Sequence, residues 1–119
     1  MQSNVKALPI AHEALGEMIR GQDWGGTTSA YMEYPAGLDF TPLLEGLEGD
    51  HCQCPHWGYV IEGRIRVSYQ DGTTETVNAG DLYYWPSGHT ILVEDAVRMV
   101  EFSPHDQMSQ VLGHVVGKL

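Results

Sequence analysis

The chain has 119 residues, of which 42% are apolar and 18% are charged, a composition typical of one globular domain. Its 16 acidic side chains outnumber 6 basic ones, and the formal net charge of −10 repels phosphate backbones and anionic lipids, which argues against nucleic-acid or membrane-surface binding. No apolar run approaches the ~18 residues of a transmembrane helix and no signal peptide is evident, so we expect a cytoplasmic protein.

The N-terminal part of the chain carries weak patterns. Apolar residues at helical spacing within residues 11–20 predict a short helix, although Gly16 lies in its middle. The segments that follow are predicted as a loop over 21–28, a strand over 29–34, a turn over 35–37 and an irregular segment over 39–50.

Strand signals become strong after Trp57. Residues 58–70 are rich in β-branched and aromatic side chains, with Ile65 and Val67 alternating with polar neighbours. Asp71-Gly72 then predicts a hairpin with a type I′ turn, in which both central residues take positive φ. Further strands are predicted over 73–77, 82–85, 89–93 and 96–102, with turns at 78–81 and 86–88 and a break at 94–95.

The C-terminal segment has the pattern of one amphipathic helix. Ser103 is a candidate N-cap, Pro104 suits the first helical position, and Gly117 predicts the end. The apolar stripe consists of Met108, Val111, Leu112, Val115 and Val116. We expect this stripe to pack on the core or against a second copy. Short strands followed by a single helix indicate an all-β barrel or jelly roll with a helical tail.

Both cysteines of the chain lie close to a histidine in the run Cys52-Gln53-Cys54-Pro55-His56. In an extended segment residues 52, 54 and 56 point to the same side, about 6–7 Å apart per step. Thiolate and imidazole ligands suit zinc first and iron second. Two other interpretations stay open: the cysteines are small buried hydrophobic residues, or they form a strained disulfide.

Two segments of the chain resemble the motifs of the small cupins. They are Tyr59–Val67 (YVIEGRIRV) and Ala79–His89 (AGDLYYWPSGH), separated by the Asp71-Gly72 hairpin. The resemblance covers about residues 49–102. It implies a cupin-like double-stranded β-barrel (jelly roll) that holds one divalent metal on side chains from both motifs. We expect a single cupin-like domain over residues 1–119, with the barrel over about 28–102 and the helix over about 104–117.

The first cupin motif, HxH(x)3–4E, carries different residues in this chain. Its glutamate position falls on His56. Its two histidine positions fall on Asp50 and Cys52 for the shorter spacing, or on Gly49 and His51 for the longer one. The resemblance therefore implies a metal site in this segment whose ligands differ from those of the family pattern.

The second cupin motif, G(x)5PxG(x)2H, places its histidine at Ile91, whereas this chain has His89 two residues earlier and on the same side of a strand. We therefore predict one divalent metal, most simply zinc, inside the barrel. The predicted metal ligands are Cys52, Cys54, His56 and His89. His51 is a reserve ligand that could replace one of them.

The number of ligands decides between functions. Four ligands close the site, as in structural zinc, whereas three leave a position for water or substrate, as in a metalloenzyme acting on a small polar metabolite. A third hypothesis is a metal-free module that binds a small molecule in the barrel. Glu62 and Glu101 are candidate general bases, although solvated strand residues are the simpler interpretation, and enzymatic activity stays open. We also expect a homodimer, because small barrels expose strand edges that pair, and we expect the aromatic run 83–85 to pack the barrel or an intersubunit sheet.

Overall fold

The computed structural model describes all 119 residues, and its main elements are antiparallel strands. The strands and the one α-helix are β1 (Ile19–Trp24), β2 (Thr27–Tyr34), β3 (His56–Tyr69), β4 (Thr74–Asn78), β5 (Leu82–Trp85), β6 (His89–Pro104) and α1 (His105–Val116). Short 3₁₀ segments cover Glu13–Met18, Thr41–Leu43 and Glu48–Asp50. No helix of the chain combines the length and the hydropathy needed to cross a bilayer.

The strands follow the order β1-β2-β6-β3-β4, and β5 pairs with the beginning of β3. Strands β3 and β6 form one long antiparallel ribbon, in which Trp57 pairs with Phe102 at one end and Tyr69 pairs with His89 at the other. The structure confirms the predicted all-β jelly roll with a C-terminal helix.

The long ribbon bends near its middle, around Gly63. Register shifts surround this residue, its φ is 92°, and the backbone carbonyl of Ala96 leaves no room for a Cβ atom there. A bulge of this kind bends a strand and strengthens its twist. The bend divides the ribbon into a first half-ribbon (residues 56–62 and 97–104) and a second half-ribbon (residues 64–69 and 89–95). It brings the rings of His56 and His89, from opposite ends of the ribbon, to 5.0 Å from each other.

The core lies between the two half-ribbons and is covered by α1. Fully buried residues of the ribbon include Val60, Ile65 and Val93. Met108 and Val115 of the helix are buried as well, and the rest of the predicted apolar stripe packs against the core. The stripe is therefore a core contact, one of the two expectations for it.

The N-terminal part differs from the sequence expectation. The predicted helix over 11–20 is a 3₁₀ segment, Glu13–Met18, interrupted at Gly16, whose φ of 56° is not helical. The predicted loop over 21–28 belongs instead to a hairpin, because β1 runs to Trp24 and pairs with β2 along its whole length. Pairing with a neighbouring strand outweighs the local helical spacing here.

The predicted hairpin at Asp71-Gly72 is present, but the prediction of a type I′ turn is wrong. Gly72 has a φ of 89°, whereas Asp71 does not take positive φ. The loop has three residues, with Gly72 N–H donating to the carbonyl of Tyr69 at 3.0 Å. The side chain of Asp71 accepts a hydrogen bond from Thr73 N–H at 2.9 Å, which stabilises this alternative turn.

The C-terminal strands and the helix start also differ in detail. Strand β6 continues through the predicted break at 94–95, because the irregular pairing near Gly63 accommodates it. Ser103 does not cap α1; the N-cap is Pro104, and Ser103 is a buried strand residue. Gly117 ends the helix as predicted.

Candidate metal centre

Three of the predicted ligands converge inside the barrel. The ligand atoms of Cys52, His56 and His89 lie within 4.8 Å of one another, and all three residues are buried. The backbone explains the convergence: Cys52 N–H donates to the carbonyl of His89 at 2.8 Å, and Gly88 N–H donates to the carbonyl of Cys52 at 2.8 Å. His56, the first residue of β3, reaches the same place because it pairs with Trp85 of β5.

Hydrogen bonds orient both imidazoles. His89 Nδ1 lies 2.8 Å from the carbonyl oxygen of Pro86, which only accepts, so the proton is on Nδ1 and the Nε2 lone pair is free. His56 Nδ1 lies 2.6 Å from Ser103 Oγ, while its Nε2 lies 3.5 Å from Cys52 Sγ. Partners of this kind on the distal nitrogen fix the tautomer of metal-binding histidines.

The spacing of these atoms fits a metal ion. With the usual zinc–sulfur and zinc–nitrogen bond lengths, two ligands of a tetrahedral zinc lie about 3.6 Å apart. The distance from Cys52 Sγ to His56 Nε2 is 3.5 Å. The residues that would hold the metal are therefore Cys52, His56 and His89, a soft set of one sulfur and two nitrogen atoms.

Burial keeps all three side chains uncharged at neutral pH. It raises the pKa of Cys52 to about 12 and lowers the pKa of His56 to about 3. Burial, together with the neighbouring His56, lowers the pKa of His89 to about 4. The imidazoles are thus ready to coordinate, and metal binding would release one proton, from the Cys52 thiol.

The structure leaves the other two candidates outside this group. Cys54 is buried, but its Sγ lies 3.5 Å from the carbonyl of Pro55 and 4.0 Å from that of Pro104. The chain bends at Cys54, so the alternation of an extended segment is interrupted before Pro55. Cys54 as a ligand stays a prediction. His51, the reserve ligand, has its Nδ1 2.6 Å from the carbonyl of Gly49.

A small cavity of about 50 Å³ adjoins the group of Cys52, His56 and His89. Twelve of its sixteen lining residues are hydrophobic, and α1 covers one side with residues such as Met108 and Leu112. The barrel therefore places Cys52, His56 and His89 in the wall of a largely apolar chamber.

Glu101 is buried at this site, although a solvated strand residue was the simpler interpretation of its sequence. It lines the cavity, is only 3% exposed, and accepts a hydrogen bond from the Tyr83 hydroxyl at 2.8 Å. Glu101 lies on the same, inward side of β6 as Val97 and Met99, because every second residue of a strand faces the same way. This spacing was the sequence signal for an inward side chain. Glu62, the other candidate base, is instead exposed and pairs with Arg98 at 3.0 Å.

Glu101 and His56 meet as a buried pair. The distance from Glu101 Oε2 to His56 Nδ1 is 3.6 Å, which would suit an ion pair. Burial, however, raises the pKa of Glu101 to about 7 and keeps the imidazole neutral. A carboxyl group that holds its proton near neutral pH therefore lies beside the cavity.

Comparison with known proteins identifies a family and several structures of similar fold. Residues 32–94, more than half of the chain, match the family model described as Cupin domain. No curated protein is significantly similar to the sequence.

Three solved structures illustrate the likeness. Protein NMB1881 from Neisseria meningitidis has 14% identity and a TM-score of 0.58, over 87% of this chain and 99% of that one. A protein of unknown function from Rhizobium leguminosarum bv. viciae has 23% identity and a TM-score of 0.56, over 87% and 97%. The EutQ protein of Clostridium difficile has 24% identity and a TM-score of 0.54, over 81% and 69%. At these identities the likeness shows a shared fold alone.

Proposed function

The chain belongs to the cupin family, and from that premise we propose that it binds one zinc ion through Cys52, His56 and His89. The observation that carries the proposal is the approach of one thiol and two imidazoles to within 4.8 Å, with Cys52 Sγ and His56 Nε2 3.5 Å apart, which suits tetrahedral coordination. Three protein ligands would leave one position of a tetrahedral zinc for a small molecule, and the three residues line the cavity. We therefore propose a small-molecule metalloprotein rather than a closed structural site.

The surrounding residues support this proposal. A zinc ion with an open position supplies a Lewis acid that polarises a carbonyl or acidifies a bound water. Ser103 and Pro86 orient the imidazoles, and the hydrophobic cavity wall excludes bulk water. Glu101 holds a proton beside the cavity, with Tyr83 fixing the carboxyl group. These are the parts that acid–base chemistry on a bound small molecule requires.

The test is metal analysis combined with a matched pair of cysteine variants. We expect the purified protein to contain zinc and to accept cobalt(II), whose visible absorption reports sulfur ligation. Cys52→Ser should remove the sulfur-to-cobalt absorption and weaken metal binding at least about 100-fold. Cys54→Ser changes an equally buried thiol outside the group and should leave binding nearly unchanged.

Other outcomes identify the alternatives. If Cys54→Ser weakens binding as much as Cys52→Ser, the site is the closed four-ligand type. Iron or copper in place of zinc would change the chemistry, since two histidines and one cysteine also suit copper. A protein that takes up no metal is a metal-free binding module, in which the Cys52 thiol hydrogen-bonds to His56 Nε2.

We also propose that two copies pair through an apolar sheet face. The outer side of the first half-ribbon and of β5 exposes six large side chains, 36–83% exposed: Trp57, Tyr59, Ile61, Leu82, Tyr84 and Phe102. A fully covered aromatic side chain buries about 150–250 Å², so the exposed parts of these six side chains amount to several hundred Å² in total. This area approaches the ~800 Å² that each partner buries in a standard interface. A second copy would supply an equally apolar and uncharged surface.

Light scattering of two charge-insertion variants tests the dimer. Leu82→Glu, at the most exposed position of the face, should give a monomer. Thr76→Glu inserts the same charge on the edge strand β4 and should leave a dimer intact. If only Thr76→Glu dissociates the dimer, the contact lies at a strand edge, as the sequence analysis expected.

A further inference from the structure

The outer face of the sheet, formed by the outer sides of β2, the first half-ribbon and β5, is covered at one side and bare at the other. Directly paired residues of antiparallel strands point to the same side of a sheet. One such row crosses the outer face and consists of Tyr31, Val100, Tyr59 and Leu82. The exposed fraction of the residue is 4% for Tyr31, 38% for Tyr59 and 83% for Leu82. The β2 side of the face is therefore covered, whereas the β5 side projects into solvent.

The cover on the β2 side includes residues 3–8, which we call the N-terminal ridge. Val5 of the ridge borders one hollow together with Tyr31, and Val5 and Leu8 border a second hollow together with Phe102. The ridge is tied to the neighbouring strand β1, because the carbonyl of Leu8 accepts a hydrogen bond from the Arg20 guanidinium at 3.2 Å. The ridge is thus a fixed part of the outer face, raised above its strands.

The second hollow is an apolar groove between the N-terminal ridge and β6. Its volume is about 190 Å³, and seven of its ten lining residues are hydrophobic. Val5 is 40% exposed and Phe102 is 44% exposed, so the groove opens to solvent on the same face as the six exposed side chains. No charged residue lines it. A groove of this kind accepts an apolar side chain, and exposed apolar surface marks a place of interaction.

Leu82 is an apolar side chain that projects from the opposite side of the same face. It is the most exposed of the six large side chains, and it lies on β5, which pairs only with β3. Its neighbour Tyr83 points inward and is buried, so the direction of Leu82 is fixed by the strand. One chain therefore carries both a projecting leucine and an apolar groove, on the two sides of β3.

Two-fold symmetry limits how two outer faces meet. In a symmetric dimer the same patch of both copies is buried about the axis. Sheets that pack face to face keep their strands within about 30° of each other, so the axis runs either along the strands or across them. An axis across the strands places each N-terminal ridge against the partner's ridge and holds the faces apart. An axis along the strands, over β3, exchanges the β5 and β6 sides, and each ridge then lies beside the free edge of the partner's β5.

We propose that two copies of the chain pair about an axis along the strands, with Leu82 of each copy inserted between the N-terminal ridge and β6 of the other, against Val5 and Val100. The inference rests on the proposed outer-face dimer and names the contact that fixes its geometry. It explains how two copies with a net charge of −10 each associate, since no charged residue lines the groove and like charges do not meet there.

Mixtures of charge variants test which positions meet. Leu82→Glu and Val5→Lys each bring a charge into two apolar contacts of the dimer, so either variant alone should dimerise weakly. In the heterodimer of the two variants, one contact pairs the new carboxylate with the new ammonium, and the other contact keeps the original leucine and valine. We expect the equimolar mixture to dimerise at least about tenfold more tightly than either variant alone, measured by analytical ultracentrifugation.

The matched control pairs the same charges at a single position. Leu82→Glu mixed with Leu82→Lys should gain less than about twofold, because the proposed axis keeps the two copies of position 82 on opposite sides of β3. An equal or larger gain in this control mixture than in the first would overturn the inference, since position 82 would then meet itself or the copies would attract each other without a specific contact.

The outcomes separate this inference from the proposed dimer. If the original protein is a monomer, or if Leu82→Glu leaves a dimer intact, the outer-face dimer fails and the inference fails with it. If Leu82→Glu dissociates the dimer but Val5→Lys does not restore it in the mixture, the outer-face dimer stands and the contact between Leu82 and Val5 is wrong.

Discussion

The two half-ribbons of strands β3 and β6 have the same antiparallel pairing but distribute polarity in opposite ways. In the second half-ribbon, Ile65, Val67 and Val93 point inward and are fully buried. Arg64 and Arg66 point outward and form ion pairs with a carboxylate of β6. This is the usual arrangement of a half-buried sheet, in which burial of apolar surface stabilises the fold.

The first half-ribbon reverses much of that arrangement. His56, Glu101 and Ser103 point inward and are buried, whereas Trp57 and Phe102 point outward and are nearly half exposed. A buried polar group costs stability unless it has partners, and an exposed apolar patch costs solubility unless it is covered. The first half-ribbon therefore contributes His56, together with Cys52 and His89 from outside it, to the proposed metal site, and offers its outer face to a second copy.

The largest effect we predict tests whether the apolar part of the second half-ribbon, away from His89 at its end, supplies stability and not binding. Ile65→Ala removes a fully buried side chain and should lower the free energy of unfolding by about 2–5 kcal/mol, measured by urea denaturation. Zinc affinity of the folded variant should be unchanged. The outward neighbour is the control: Arg66→Ala should cost less than about 0.5 kcal/mol. A parallel loss of zinc affinity in Ile65→Ala would show that the two halves are not separable.

The next prediction concerns the packing of polar groups on the inner side of the first half-ribbon. A Cβ atom at Gly58 would collide with the Tyr83 ring and with the carbonyl of Val100. Gly58→Ala should therefore cost about 1–3 kcal/mol of unfolding free energy and displace Tyr83 from Glu101. Gly113→Ala, in the open surface of α1, is the matched change and should stabilise the protein by up to about 1 kcal/mol. Equal tolerance of both changes would contradict this packing.

A smaller effect tests whether Ser103 orients a metal ligand. Ser103→Ala removes the partner of His56 Nδ1 and should weaken zinc binding about 10–100-fold, measured by competition with a chelator. Ser109→Ala, which removes a hydroxyl from the exposed side of α1, should leave zinc affinity unchanged. If the two serine variants bind zinc equally well, Ser103 has only a packing role.

The last effect, at most about 1.4 kcal/mol per pH unit, concerns the pH dependence of the metal-free protein. Burial lowers the pKa of His56 to about 3 and of His89 to about 4, from ordinary values of 6.5. Below pH 6.5 the unfolded chain therefore binds protons that the folded chain does not, and stability falls as pH decreases. Glu101 acts oppositely: burial raises its pKa from 4.5 to about 7, so its contribution is present at low pH and is lost as pH rises to 7.

Glu101→Gln removes this opposing contribution. Between pH 6.5 and 4.5 the stability of the variant should fall more steeply than that of the original protein, by up to one proton or about 1.4 kcal/mol per pH unit. Urea midpoints measured across this range provide the test. Identical slopes of unfolding free energy against pH in the two proteins would mean that Glu101 has an ordinary pKa. Water would then reach the inner side of the first half-ribbon.

Much of the strand pattern and part of the site could be predicted from the sequence. Strand β5 has the predicted bounds, and the apolar stripe of α1 packs on the core, which was one of its two predicted contacts. Cys52, His56 and His89 were all named as ligands, and the structure brings their ligand atoms together. Glu101 was named only as a lesser candidate, and the contact of Ser103 with His56 was missed. Ser103 has the residue type and position of a helix cap, and nothing local indicates its contact with His56.

The sequence by itself determined which side chains alternate along each strand, because the period of two is a local property of extended backbone. Only the tertiary structure decided which of them meet. The ribbon bend at Gly63 brings His56 and His89 together from opposite ends, and the Cys54 thiol lies outside the group that they form with Cys52. The ribbon bend depends on pairing between residues distant in sequence, which no local pattern in the sequence specifies.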